Sequence, residues 1–321
     1  MYALVFSGGK ENALFDQMFA DLKSDERVRY VSDLPRGAKE RGFLYRLHHK
    51  RGLNRKKPAP FRGIWKEEGF ETLVREEAAL HPGLCLIFNN FSLPYFEPAW
   101  LLRWKREYGV KLVLCFIDRF SSWFAAEARM YMKNLPFDLL YSYYRKDAVN
   151  YGLRYFDCYY SKAQIDNEGG EGVYFWGSDT GRREMLEAVW RRLEELGEDC
   201  TMGICYAQGE SERLPGIVYD RPKEYKEILE DIGKAGILLD IIVGEGGVSL
   251  RYHEAVVYGK KLISNNPDIK QMRFYNPEQM LLIRSSEEIS EEFLKKPFRA
   301  KPCEDAFSPR LWLDEIEKEL G

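Results

Sequence analysis

The sequence predicts an α/β chain of two doubly wound domains, and three observations carry that prediction. Short apolar runs alternate with helical stretches through most of the chain, the pattern of a parallel sheet covered by helices on both faces. The pattern restarts after a polar, glycine-bearing stretch, Ser161 to Glu171. Each half also holds a strand, a glycine turn and a helix in direct succession: Tyr2 to Phe6 followed by Ser7-Gly8-Gly9, and Leu239 to Val243 followed by Gly244 to Gly247. A length of 321 residues fits, because single cores stop growing near about 250 to 300 residues.

In chain order, Tyr2–Phe6 reads as the first strand, Glu11–Lys23 as a helix and Val28–Val31 as a second strand. Strands are expected at Leu84–Phe88, Lys111–Ile117 and Phe137–Tyr143, and helices at Glu97–Glu107, Ser121–Lys133 and Arg145–Tyr151. Tyr155–Tyr160 closes the first half. In the second half, strands are expected at Val173–Trp176, Thr201–Tyr206, Leu239–Val243, Lys261–Ser264 and Met280–Ile283. Arg182–Leu196 is a helix rich in Arg and Glu, and Pro222–Gly233 reads as a helix with Pro at its first position. Pro309–Leu320 is a last amphipathic helix, with Leu311, Leu313, Ile316 and Leu320 offered to one face. The expected organisation is a domain over 1–163, a linker over 164–171, a second domain over 172–300 and a C-terminal helical segment over 301–321.

Composition narrows the function classes. Lys plus Arg (48) nearly balance Asp plus Glu (51), so no global field favours nucleic acid as a partner. The 20 Tyr and 19 Phe fill cores in the ordinary reading, and in a sugar-handling protein some also stack on the apolar faces of sugar rings. Six cysteines are scattered, several inside apolar runs, and read as buried thiols of a reducing compartment; with no CxxC and only four His, no metal site is expected. The first residues lack the basic segment of a signal peptide, and no run of about 18 apolar residues occurs, so a cytoplasmic protein is expected.

Two glycine loops carry the candidate site. In an open α/β sheet such loops lie at the carboxyl ends of the strands, where ligands bind. In Gly177-Ser178-Asp179-Thr180-Gly181-Arg182-Arg183, backbone N–H groups and two arginines could neutralise a diphosphate; alternatively the glycines only make a tight turn and the arginines are solvated. In the second, Gly246, Gly247, Ser249 and Leu250 precede Arg251 and Glu254, which lie three apart on one helical face and can address one ligand. The alternative there is an ion pair contributing only about 0 to 1 kcal/mol. Strand, glycine loop and helix together suggest a phosphorylated, sugar-bearing ligand.

The runs VYFWGSDTGRREMLEAV (Val173–Val189) and SLRYHEAVVYGKKLISNNPDIKQMRFYNP (Ser249–Pro277) resemble the donor-binding domain of GT-B glycosyltransferases. The likeness is to the bacterial group that builds capsular, exopolysaccharide or lipopolysaccharide chains and to the related CgeB-like proteins. FDLLYSYYRKDAVNYGL (Phe137–Leu153) resembles the end of their first domain. The resemblance implies two Rossmann-like domains facing each other across a cleft, with a C-terminal helix crossing back. It implies a glycosyltransferase that needs no cofactor and no metal, because a helix N-terminus and basic side chains offset the leaving diphosphate. Glu254 would bind the ribose of a nucleotide sugar, and Gly177, Arg182, Ser249 and Arg251 would touch the diphosphate, while Gly8 and Gly9 would line the acceptor side. Retaining members often carry a second glutamate eight residues earlier; that position is Gly246, with Glu245 off by one, so the stereochemical outcome stays open. If the reaction inverts, a base is required, for which Asp118 and Glu11 are the candidates. Asp118 also fits a helix cap or a local ion pair, and His253 fits a packed or a ribose-adjacent position.

The expected partners are a nucleotide sugar and a glycan acceptor, the latter carried on a polyprenyl diphosphate. Between Arg36 and Arg62 ten Lys or Arg face one acid, Glu40. That stretch is a solvated loop, a contact with an anionic membrane surface at the inner face of the cell membrane, or, least in keeping with the rest of the chain, an RNA-binding segment. Two rival functions remain. The run LVFSGGKEN resembles the loop of PP-loop ATP pyrophosphatases, although Glu11-Asn12 replaces its Asp-Ser. A GT-B-like module that binds nucleotide sugar without turnover is the other.

Overall fold

The computed structural model describes residues 1–7, 13–32, 68–167, 170–209, 212–245, 247–298 and 302–321. Gly8, Gly9, Glu11, the basic stretch 36–62 and Gly246 lie outside the described residues. The chain forms two compact units. Met1–Tyr159 with Pro309–Gly321 make the first, and Tyr160–Ser308 the second.

The first unit runs β1 (Ala3–Phe6), α1 (Ala13–Met18), β2 (Val28–Val31), α2 (Glu68–Leu80), β3 (Cys85–Asn89), α3 (Pro98–Tyr108), β4 (Lys111–Phe116), α4 (Ala126–Asn134), β5 (Leu139–Ser142), α5 (Arg145–Tyr151) and β6 (Arg154–Tyr155). Its sheet is parallel throughout, in the order β2-β1-β3-β4-β5-β6. Strands buried on both faces need no polar alternation, and β1, β3 and β4 read as near-continuous apolar runs. Phe6 and Phe88 stack at 4.9 Å, and Phe96 meets both edge-on. The first helix is shorter than the sequence predicts, its second part being a 3-10 turn at Ala20–Ser24. Helix α2 is an amphipathic segment that the sequence reading passes over.

The second unit runs β7 (Val173–Ser178), α6 (Arg183–Glu195), β8 (Cys200–Cys205), β9 (Ile217–Tyr219), α7 (Tyr225–Lys234), β10 (Ile237–Asp240), α8 (Leu250–Tyr258), β11 (Lys261–Ser264), β12 (Met280–Leu282) and α9 (Glu291–Lys295). Its sheet is also parallel, ordered β12-β11-β10-β7-β8-β9. The chain thus builds outward from β7 on one side, returns to the centre, and builds outward from β10 on the other. Helix α7 starts at Tyr225 rather than at Pro222, because Glu224 and Glu227 form a reciprocal capping box that fixes the first turn. Strand β10 ends at Asp240, so Ile241, Ile242 and Val243 form a loop despite their β-branched side chains, and Val243 is exposed.

The last helix, α10 (Pro309–Leu320), belongs to the first unit. Its buried residues include Trp312, Leu313 and Ile316, whereas Leu311 is exposed; the apolar face is rotated from the one the sequence suggests. Trp312 packs on Phe156 and Tyr159, and Arg27 bonds Asp314 and Glu317 at 2.7 and 3.1 Å. The stretch 161–167 packs inside the second unit: Ala163 donates its N–H to the Tyr258 hydroxyl and Asn167 its amide to the Tyr258 carbonyl. Among the cysteines, Cys85, Cys115, Cys158 and Cys205 are buried as expected, Cys200 is half-buried, and Cys303 is exposed. No helix of the described residues is long and apolar enough to cross a membrane.

Where β7 ends is set by a close packing contact. The Trp176 ring lies over Gly203 of β8, its Nε1 donates to the Arg221 carbonyl, and Lys223 sits 3.7 Å from its ring centre. A Cβ at Gly203 would come within 2.3 Å of the ring. Gly203→Ala is therefore expected to lower the unfolding free energy by about 2 kcal/mol through forced repacking, read as a lower midpoint in urea denaturation followed by circular dichroism.

Candidate functional site

A parallel sheet leaves a crevice where the connections of two neighbouring strands diverge, and the carboxyl ends of those strands point into it. In the second unit that place lies between β7 and β10. The segments leaving them are Asp179–Arg182 and Ile241–Ser249.

Arg182 spans the two edges. Its Nε donates to the Ser178 carbonyl (2.9 Å) and its Nη1 to the Ile241 carbonyl (2.7 Å), while the guanidinium rests 5.0 Å from the Phe175 ring centre. Gly177 makes this possible, since a Cβ there would lie 3.0 Å from Arg182 Nη2. Among the described residues no carboxylate lies within ion-pair distance of Arg182. Burial lowers its pKa and nearby Arg251 adds to that, with Asp240 and Asp179 only partly opposing. A half-buried cation whose direct partners are carbonyls keeps a charge that an anion can neutralise.

Arg251, from the first turn of α8, donates Nη2 to the Trp176 carbonyl (3.0 Å) and pairs through Nη1 with Glu254. Burial alone would lower its pKa; Glu254 more than offsets this and holds it up. Glu254 is fully buried, and its other oxygen accepts the Tyr225 hydroxyl at 2.8 Å. That hydroxyl also lies 3.1 Å from the Tyr160 hydroxyl. Both carboxylate oxygens thus face protein groups: the i,i+3 spacing does bring Arg251 and Glu254 together, as an internal ion pair.

Ser249 is the N-cap of α8, accepting the Arg251 N–H at 3.1 Å, and its hydroxyl proton goes to Asp240 (2.8 Å). A hydroxyl donates once, so Ser249 has no proton left for a ligand. Asp240, which the sequence reading missed, is 1% exposed at the end of β10. Its second oxygen accepts the Ser264 hydroxyl at 3.0 Å. Burial raises its pKa, against the two serines, Arg182 and Arg251. Gly247 takes a left-handed φ of 62° and its carbonyl accepts the Asn266 amide. Leu250 is half-buried as the first residue of α8.

The loop after β7 differs from the expected diphosphate cradle. Asp179 occupies it, accepting the N–H groups of Gly181 (3.1 Å), Arg183 (3.0 Å) and Gln208 (2.8 Å). Burial pushes its pKa up, yet these bonds hold it below the ordinary range. The amides that would cradle phosphate are filled by this carboxylate, and Gly181, with φ 86°, serves the turn. Arg183 points away from the crevice: it pairs with Glu187 at 2.6 Å and donates to the Gln208 and Glu212 carbonyls. Ser178 contributes its carbonyl to Arg182.

In the first unit Asp118 lies in the loop after β4, where Oδ1 accepts the Arg119 N–H (2.7 Å) and Oδ2 the Ser122 hydroxyl (3.1 Å). His253 is packed, as its sequence context suggests, with Nδ1 on the Ser249 carbonyl and its ring 4.5 Å from Phe307.

No protein-family model matches the sequence, and no curated protein matches it. Solved structures do resemble it. A Listeria monocytogenes protein provisionally named a UDP-N-acetylglucosamine 2-epimerase is 12% identical with a TM-score of 0.50, the match covering 99% of this chain and 96% of that one. MnaA of S. aureus, solved with UDP, is 12% identical with a TM-score of 0.48 over 99% and 96% of the two chains. The glycotransferase of kitacinnamycin is 10% identical with a TM-score of 0.43 over 100% and 99%. At such identity the likeness speaks of fold: the chain has the GT-B architecture of two Rossmann-like domains.

The Asp240 environment gives a pH test. A carboxyl whose pKa is higher in the folded than in the unfolded chain binds more protons when folded, so its contribution falls as pH rises from the ordinary carboxylate range through the raised value. Unfolding free energies measured between about pH 4 and 7 should therefore decline more steeply for the wild type than for Asp240→Asn, which keeps an oxygen for one serine and removes the charge.

Proposed function

We propose that the chain is a glycosyltransferase whose nucleotide-sugar donor binds at the β7/β10 crevice of the second unit, with the diphosphate against Arg182. The glycosyl group goes to a hydroxyl of a growing, lipid-linked surface glycan. The observation that carries the donor site is the half-buried Arg182 guanidinium, tied to carbonyls on both edges of the crevice and paired with no carboxylate among the described residues. A cation fixed beside the leaving diphosphate stabilises charge as the glycosidic bond breaks, and being already in place it needs no reorganisation. Arg251 is neutralised by Glu254 and held by the Trp176 carbonyl, so the charge left for the diphosphate is that of Arg182.

The glycan acceptor, its lipid link and the kinship with capsule, exopolysaccharide or lipopolysaccharide enzymes and CgeB-like proteins rest on the resemblance of 137–153, 173–189 and 249–277. On the acceptor side Asp118 is the proposed base. Among the described residues one of its oxygens holds only the Ser122 hydroxyl, a bond an acceptor hydroxyl can replace. Glu254 is fully buried, so for it to contact the ribose, as the resemblance implies, a side chain that covers it has to move.

Thermal-shift measurements with UDP, GDP, CMP, dTDP and ATP test the reading, since a ligand that binds only the folded chain raises Tm. One of the non-ATP nucleotides is expected to stabilise. Arg182→Ala should weaken that nucleotide by about tenfold or more. Arg183→Ala should lower Tm by several degrees and leave the nucleotide affinity unchanged. Stabilisation by ATP alone would overturn the proposal in favour of an ATP pyrophosphatase. Nucleotide binding with no sugar turnover, with or without acceptor extracts, would make the chain a binding module. Because one protein of this fold bears an epimerase name, UDP-N-acetylglucosamine without acceptor belongs in the assay, and 2-epimerisation would contradict transfer.

A further inference from the structure

A cavity of about 510 Å³ lies within the second unit, where β11 and β12 end. Its walls include Asn265, Lys270, Leu282, Ile283, Arg284 and Glu288. The volume falls in the range of small-molecule sites, about 300 to 1,000 Å³. The cavity adjoins the crevice through one residue: Asn265 accepts the Ile242 N–H at 2.8 Å and donates to the Ile242 carbonyl at 2.9 Å. Ile242 directly follows Ile241, whose carbonyl holds Arg182. The Ile241 carbonyl and the Ile242 N–H belong to one trans peptide and point to opposite sides of it, so Arg182 lies on one side of this peptide and Asn265 with the cavity on the other, the β11 side.

The lining charges say what fits. Leu282 and Ile283 give an apolar wall, and the Asn265 amide is oriented by one bond at each of its polar ends to Ile242. Lys270 and Arg284 are exposed, and neither side chain has a hydrogen-bond or ion-pair partner among the described residues. Glu288 is engaged, its Oε2 accepting the Arg284 N–H at 3.0 Å. Two cations and one carboxylate thus line the cavity, which leaves an excess of one positive charge. Neither a plain hexose nor a nucleoside offers them a counter-charge. A glycosyl group bearing a carboxylate or a phosphate does.

We infer that this cavity seats the glycosyl group of the donor and that Lys270 and Arg284 select one carrying an anionic substituent. The inference rests on the diphosphate seat proposed above. Each cation is exposed, so each contributes modestly, up to about fivefold in affinity, and the pair favours an anionic over a neutral sugar by about tenfold.

Sugar phosphates test this without knowledge of the base. Glucuronate 1-phosphate, glucose 1,6-bisphosphate and glucose 1-phosphate are titrated into the full chain by isothermal calorimetry, alongside the stabilising nucleotide found by thermal shift. One or both anionic sugars should bind about tenfold tighter than glucose 1-phosphate, and which one does so separates carboxylate from phosphate. Lys270→Ala and Arg284→Ala, surface changes that leave the core intact, should each cut that preference about threefold without altering affinity for the nucleotide. Equal binding of the three sugars, or a preference that survives both substitutions, overturns the inference while leaving the diphosphate seat standing. If neither nucleotides nor sugar phosphates bind, the seat at Arg182 falls and the inference with it.

Discussion

The constraint on which the second unit's site depends is the placement of one guanidinium over the joint between two strands. Arg182 bonds the carbonyl of the last residue of β7 and a carbonyl just after β10, so one half-buried charge ties the two strand ends together. Burying a cation against neutral dipoles is unfavourable unless an anion completes it. The surroundings are arranged so that no side chain does: Asp240 turns its oxygens to Ser249 and Ser264, Glu254 is taken by Arg251 and Tyr225, and Asp179 by backbone amides. Each acid near the crevice is occupied. The positive charge that remains is the one a ligand would neutralise.

That arrangement follows from the parallel sheet. The order β12-β11-β10-β7-β8-β9 makes β7 and β10 neighbours whose connections leave in opposite directions, which opens the space above them. Glycine at 203 lets Trp176 lie flat against β8, and glycine at 177 lets the Arg182 side chain fold back across the strand end. At 203 a small residue is required because the ring lies against the backbone, whereas at 177 a Cβ would push the end of the Arg182 side chain slightly aside.

The alternation of apolar strands and helices was legible in the sequence, and with it the fold class. Helix α5 falls at Arg145–Tyr151 as read, because Gly152 in a left-handed conformation ends it. Pro222 looked like a helix start, but the reciprocal Glu224 and Glu227 cap set the boundary three residues later. In the candidate site the i,i+3 relation of Arg251 and Glu254 could be read from spacing, whereas its meaning could not. Whether those oxygens face a ligand depends on Tyr225, which arrives from a different helix. Arg182 and Arg183 are adjacent in sequence and opposite in role, since Arg182 is the non-helical cap residue before α6 and Arg183 is its first helical residue. Asp240 had a weak signal, a lone acid inside the apolar run Ile237 to Val243, which is an unfavourable place for a charge unless hydroxyls meet it.

The central claim is that Arg182 receives the diphosphate of a nucleotide donor. A crystal structure of the chain soaked with the nucleotide that stabilises it most tests this directly. The account predicts phosphate oxygens within hydrogen-bond distance of the Arg182 guanidinium, in the crevice between β7 and β10. A nucleotide bound elsewhere, with Arg182 still held only by the Ser178 and Ile241 carbonyls, would contradict it.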